Sequence, residues 1–119
     1  MVDSEMTMDS LRDQVLKFAE ERDWEQFHSP KNLAISVSVE AAELLENFLW
    51  LTPEQSSTLT NDQLAKVSDE LGDVLICLVN FAARLKINPL HAAAQKIRKN
   101  QEKYPIEKAK GSAKKYTEL

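Results

Sequence analysis

Glycine and proline are scarce, with two of the first and four of the second in 119 residues. A fold of many short strands needs a turn after each strand, so this scarcity favours long helices. The single cysteine, Cys77, excludes an internal disulfide and any cysteine-based zinc site. No apolar run reaches the roughly 20 residues that span a bilayer, so no membrane partner is expected. Basic charge is not in excess either. The net charge of −4 argues against nonspecific binding to a nucleic-acid polymer. The first residues are acidic and lack an apolar core, so they read as a flexible N-terminus over residues 1–8 rather than a signal peptide. A cytoplasmic location is the expectation.

What remains is enough for one globular domain. Hydrophobic residues make up 43 % and charged residues 29 %, a balance that excludes disorder. The pattern predicts four helices within a domain spanning residues 9–104. The first runs from about Asp9 to Arg22, with Leu11, Val15, Phe18 and Ala19 as its apolar stripe. The second opens at Ser29-Pro30, where serine caps and proline suits the first helical position, and runs to about Trp50. The third opens at Thr60, with Gln63 placed for a capping box, and runs to about Lys86. The fourth opens at Asn88-Pro89 and ends near Lys103, before Tyr104-Pro105. Residues 105–119 read as a basic, loosely ordered tail. The lysines from Lys96 onward suit a polyanionic small ligand, or simply a solvated surface.

The second and third helices are unusually apolar. Between Leu33 and Leu51 only Glu40, Glu43 and Glu46 are charged. A helix apolar on most faces is packed on most faces. An all-α, antiparallel four-helix bundle is therefore expected, and an oligomeric one, because a small domain cannot cover so much apolar helix by itself. Phe27 and Phe48 are expected in the core, and His91 in a structural role.

On these apolar rods lie two polar stripes. Asn32, Ser36, Glu40, Glu43 and Asn47 share one face, and Glu70, Asp73, Cys77 and Asn80 share another. Each stripe offers two carboxylates one helical turn apart. An ionised carboxylate in apolar surroundings is costly unless it is paired or binds metal. No lysine or arginine stands between the members of either pair. An all-oxygen set of this kind points to Mg²⁺, with Mn²⁺ as the alternative. A di-iron bundle needs Glu-x-x-His on two helices, which the two histidines do not supply.

Glu40-Ala-Ala-Glu43 followed after 26 residues by Glu70-Leu-Gly-Asp73 resembles the ExxE…ExxD motif of the MazG-like, all-alpha nucleoside triphosphate pyrophosphohydrolases. Glu21 to His28, Pro30 to Leu33, Asp73 to Ile76, Tyr104-Pro105 and Lys115 to Leu119 are similar to the dCTP pyrophosphatase branch. The resemblance implies Mg²⁺-dependent hydrolysis of a nucleoside triphosphate, dCTP above all, to the monophosphate and pyrophosphate. It implies a role in cleansing the nucleotide pool, and a homo-oligomer, either a dimer or a dimer of dimers (a homotetramer). Glu40, Glu43, Glu70 and Asp73 become the metal ligands, with Glu43 as the candidate general base. Lys96, Asn100, Lys103 and Tyr104 become phosphate contacts, and Trp24, His28, Asn32 and Trp50 the base pocket. Cys77 departs from the pattern, which implies a tyrosine against the sugar at that position. The alternatives are the same reaction on dATP or a modified dNTP, and a helical interaction module without activity.

Overall fold

A computed structural model describes residues 5–119. Among them are six α-helices, two 3₁₀ turns and no strand. The all-α expectation holds. The long helices are α1 (Met8–Glu21), α2 (Pro30–Glu46), α4 (Asn61–Arg84) and α5 (Pro89–Lys103), and the single-turn helices are α3 (Pro53–Ser56) and α6 (Ile106–Ala109). The chain divides into two compact units, one ending at Lys86 and one running from Ile87 to Leu119.

Local sequence explains where each helix starts. The Thr7 and Ser10 side chains cap each other's backbone N–H at the start of α1. The Thr60 hydroxyl accepts from the Gln63 N–H, and Gln63 Oε1 accepts from the Thr60 N–H, which is the capping box expected there. Ser29 and Asn88 cap helices that begin with Pro30 and Pro89. Helix ends differ more from expectation. Asp23 and Lys86 adopt left-handed backbone with φ of 54° and 57°, so α1 stops at Glu21 and α4 at Arg84. The second helix ends at Glu46 rather than Trp50, because Asn47 and Phe48 tighten into i→i−3 hydrogen bonds to Leu44 and Leu45. Thr52-Pro53 opens α3 with its own capping box to Gln55. The supposed loose tail contains α6 and a 3₁₀ turn, Tyr116–Glu118. The Tyr104 and Tyr116 rings meet edge to face at 6.0 Å, and Lys103 Nζ sits 4.9 Å over Tyr116.

In the first unit α4 is the central element, packing against α2 and also against α1. The core lies along those seams: Val15 and Ala19 of α1, Leu33 of α2, and Val79, Asn80 and Ala82 of α4 are buried. Phe27, expected inside, is 59 % exposed because the 3₁₀ turn Glu25–Phe27 turns it outward. Phe48 is half-buried. His91 is exposed, which removes the expected structural role. No helix among the described residues is long and apolar enough to cross a membrane.

Leu33 is only 3 % exposed and anchors α2 at its first turn. Leu33→Ala should cost about 2–5 kcal/mol, the range for a buried leucine that leaves a cavity. Thr60→Ala should cost about 1 kcal/mol, through the lost cap alone. Urea unfolding at fixed protein concentration tests both. Equal midpoint shifts for the two variants would contradict this account of the core.

Candidate active site

The i, i+3 spacing on two packed helices does what the sequence requires of it. Glu40 and Glu43 of α2 and Glu70 and Asp73 of α4 each offer one carboxylate oxygen, and these atoms all lie within 4.8 Å of one another. Glu40, Glu43 and Glu70 are half-buried, and Asp73 is exposed. None of the four forms an ion pair with a lysine or arginine among the described residues. Glu40 Oε2 and Glu70 Oε2 are shut off from water and have no hydrogen-bond partner.

The electrostatics follow from that crowding. Loss of water pushes the Glu40 carboxyl above its ordinary range, and hydrogen bonding to Glu43 with the charges of Glu43, Asp73 and Glu70 pushes it further. Glu70 is raised in the same way, first by loss of water, then by the charges of Glu43 and Asp73. The charge of Glu43 bears on both Glu40 and Glu70. Orphaned oxygens, like charges and a hard-oxygen donor set are what a divalent cation would satisfy, so the residues present fit such an ion. Mg²⁺ and Mn²⁺ both match that donor chemistry.

Near the carboxylates lies a cavity of about 300 Å³ lined from α1, the 3₁₀ turn region, α2 and α4. Trp24 and His28, two of the four expected base-pocket residues, line it together with Cys77, Phe18, Ser36 and Asn80. Left-handed Asp23 lets the Trp24 N–H return to the Ala19 carbonyl at 2.9 Å, which sets the indole edge to face against Phe18 at 5.7 Å. Burial lifts the Cys77 thiol above its usual range, with the charges of Glu40 and Asp73 adding to the effect. The other two expected pocket residues are elsewhere. The Asn32 amide donates to the Phe27 carbonyl at 3.0 Å and fastens the 3₁₀ turn to α2. Trp50 is 88 % exposed, beyond the end of α2. Glu25 does stand three residues before His28, but in a 3₁₀ turn rather than on a bundle helix, so it makes no di-iron motif.

The residues missed in the sequence are Gln14, Val15 and Phe18 of α1, which read there only as helix surface and core. Asn80 carried a signal, since it continues the stripe of Glu70, Asp73 and Cys77. Lys96, Asn100, Lys103 and Tyr104 belong to the second unit. Lys96 and Lys103 share a face of α5 closely enough that the charge of Lys103 lowers the Lys96 ammonium below its ordinary range.

Comparison with known proteins agrees with this geometry. The MazG-like family matches residues 35–119. The dCTP pyrophosphatase 1 of Bos taurus is 40 % identical over 118 residues, covering 98 % of this chain and 70 % of the relative. That of Homo sapiens is 40 % identical over 117 residues, covering 97 % of this chain and 69 % of the relative. The crystal structure of a pyrophosphatase from Archaeoglobus fulgidus superposes with a TM-score of 0.79 at 37 % identity, over 88 % of this chain and 98 % of that one. From the matched segment and these relatives, whose likeness runs through both carboxylate pairs, the chain belongs to the MazG-like family.

Proposed function

We propose that the protein hydrolyses nucleoside triphosphates at the bond between the α- and β-phosphates, with dCTP as substrate and dCMP and pyrophosphate as products. The observation that carries this is the group of four carboxylates on α2 and α4 within 4.8 Å of one another, with no ion pair to a lysine or arginine among the described residues. The names of the relatives supply the substrate. A divalent cation held there, Mg²⁺ by preference, supplies charge for the triphosphate and makes the attacking water more acidic. Glu40, Glu43, Glu70 and Asp73 would hold the cation. Glu43, whose charge bears on both Glu40 and Glu70, accepts the proton of the attacking water. The cavity beside them takes the nucleoside, with Trp24 offering an aromatic face to the base. Lys96, Asn100, Lys103 and Tyr104 form the phosphate-binding element of the second unit. Such an enzyme works on the cytoplasmic nucleotide pool.

One observation favours a second substrate reading. Cys77 is small and lines the cavity, so the site has room for a larger base such as that of dATP, or for a modified pyrimidine. A panel of dNTPs distinguishes the readings, and Cys77→Tyr should narrow the preference toward dCTP by raising the KM for purines. The inactive-module alternative predicts no turnover of any member of the panel.

The oligomer is proposed on apolar exposure. Leu45, Leu49, Trp50 and Leu71 are exposed, and an open apolar groove of about 560 Å³ runs along Ala41, Leu44, Phe48, Val67 and Leu71. At about 25 cal/mol per Å², covering such a face contributes much of a small domain's stability. A dimer or dimer of dimers covers it. Light scattering at micromolar protein should give one of those masses, and an active monomer would overturn the proposal.

Three further outcomes test this reading. Chromatography of a dCTP digest should show dCMP and pyrophosphate together, whereas stepwise release of orthophosphate through dCDP would contradict the reading. Asp73→Ala should lower turnover by at least about 10²-fold, the scale for losing a charge-stabilising group. The third outcome concerns stability without metal. A carboxyl raised in the folded state costs nothing below the ordinary carboxylate range. Its cost grows as pH rises from the unfolded pKa through the raised folded one, and stays in full above that. Glu43→Gln removes a charge acting on both Glu40 and Glu70. In chelator at pH 7 it should therefore raise the Tm above wild type, and the advantage should fade as pH falls into the carboxylate range. Added Mg²⁺ should stabilise the wild type more than the variant. A variant less stable than wild type in chelator would refute the repulsion argument.

A further inference from the structure

Asn80 is the buried polar residue of the core, 5 % exposed, on α4 one turn beyond Cys77. Both ends of its amide are engaged. Its Oδ1 accepts from Arg84 Nε at 3.4 Å, and its Nδ2 lies 3.1 Å from His28 Nδ1. The orientation of an amide is decided by its partners. A guanidinium has only donors, so it must face the amide oxygen, and the NH₂ group must then face His28. An NH₂ group only donates. His28 Nδ1 must therefore accept, which it can do only when it carries no hydrogen. A neutral imidazole with a bare Nδ1 has its hydrogen on Nε2. Nε2 makes no hydrogen bond among the described residues, and His28 lines the cavity.

We propose that Asn80, oriented by Arg84, is a positioning residue that holds His28 as the neutral Nε2–H tautomer, so that His28 meets a ligand in the cavity as a hydrogen-bond donor. The ligand group it selects is an unprotonated acceptor, such as a ring nitrogen or exocyclic carbonyl of a nucleobase. That identity of the ligand rests on the nucleotide reading above; the tautomer does not. The charges around the ring agree with the assignment. Burial first, and then Arg84 of α4, hold His28 below the ordinary histidine range, with Glu25 of the 3₁₀ turn opposing them in part. Among the cavity-lining residues, α1 presents Gln14 and α2 presents Ser36, neither of them charged.

Long-range ¹H–¹⁵N correlation spectra of the uniformly labelled full chain test this without any turnover. His28, assigned by the signal lost in His28→Gln, should show an unprotonated Nδ1 and a protonated Nε2 at neutral pH. Asn80→Asp supplies an acceptor in place of the donor while still facing Arg84. It should move the hydrogen to Nδ1 and raise the imidazole pKa. In that variant the KM for dCTP should rise about tenfold or more, as for a binding site whose hydrogen bond is lost or reversed, with kcat changing far less. A wild-type spectrum with the hydrogen on Nδ1 would overturn the proposal, as would an Asn80→Asp spectrum identical to wild type. The expected tautomers in a protein that hydrolyses no dNTP would uphold the positioning of His28 and count instead against the proposed function.

Discussion

Four carboxylates gathered on two apolar helices repel one another, and none of them forms an ion pair with a lysine or arginine among the described residues. Much of the first unit follows from this constraint. The helices α2 and α4 pack closely enough to bring oxygens from Glu40, Glu43, Glu70 and Asp73 within 4.8 Å, and apolar side chains make up much of the seam between them. The apolar faces are in turn what removes water from Glu40 and Glu70 and raises their affinity for protons. The same desolvation that makes the metal-free state uneasy makes the site receptive to a hard divalent ion. Function of this kind is bought with stability.

The helical framework was legible because its starting signals are local. Ser29-Pro30, Thr60 with Gln63 and Asn88-Pro89 each satisfy orphan N–H groups within a single turn, so a few neighbouring residues decide the matter. Helix ends were harder. Nothing in the identities of Asp23 and Lys86 demands left-handed backbone, and both adopt it where tertiary packing requires the chain to turn. Thr52-Pro53 has the composition of a terminator and of a helix start, and only the Gln55 side chain reaching back decides between them.

The site divides along the same line. The four carboxylates and their pairing could be read from spacing, since a period of three or four on a helix fixes a common face. The cavity could not. It is made by residues distant in sequence, and the pairing of His28 with Asn80 spans 52 positions. Trp50, which the resemblance implied for the base pocket, does not line the cavity in the single chain and lies exposed beyond the tightened end of α2.

The helix α4 carries Glu70 and Asp73 near its middle and Asn80 and Arg84 in its last turns, without a break. At 1.5 Å per residue the step from Asp73 to Asn80 is on the order of 10 Å, and each residue also turns the face by about 100°. The helix thus acts as a ruler and a protractor at once. No hinge lies between the end that gathers negative charge and the end that fixes the histidine. Their separation is a count of residues, so inserting or deleting one residue between them would turn one of the two away from the other.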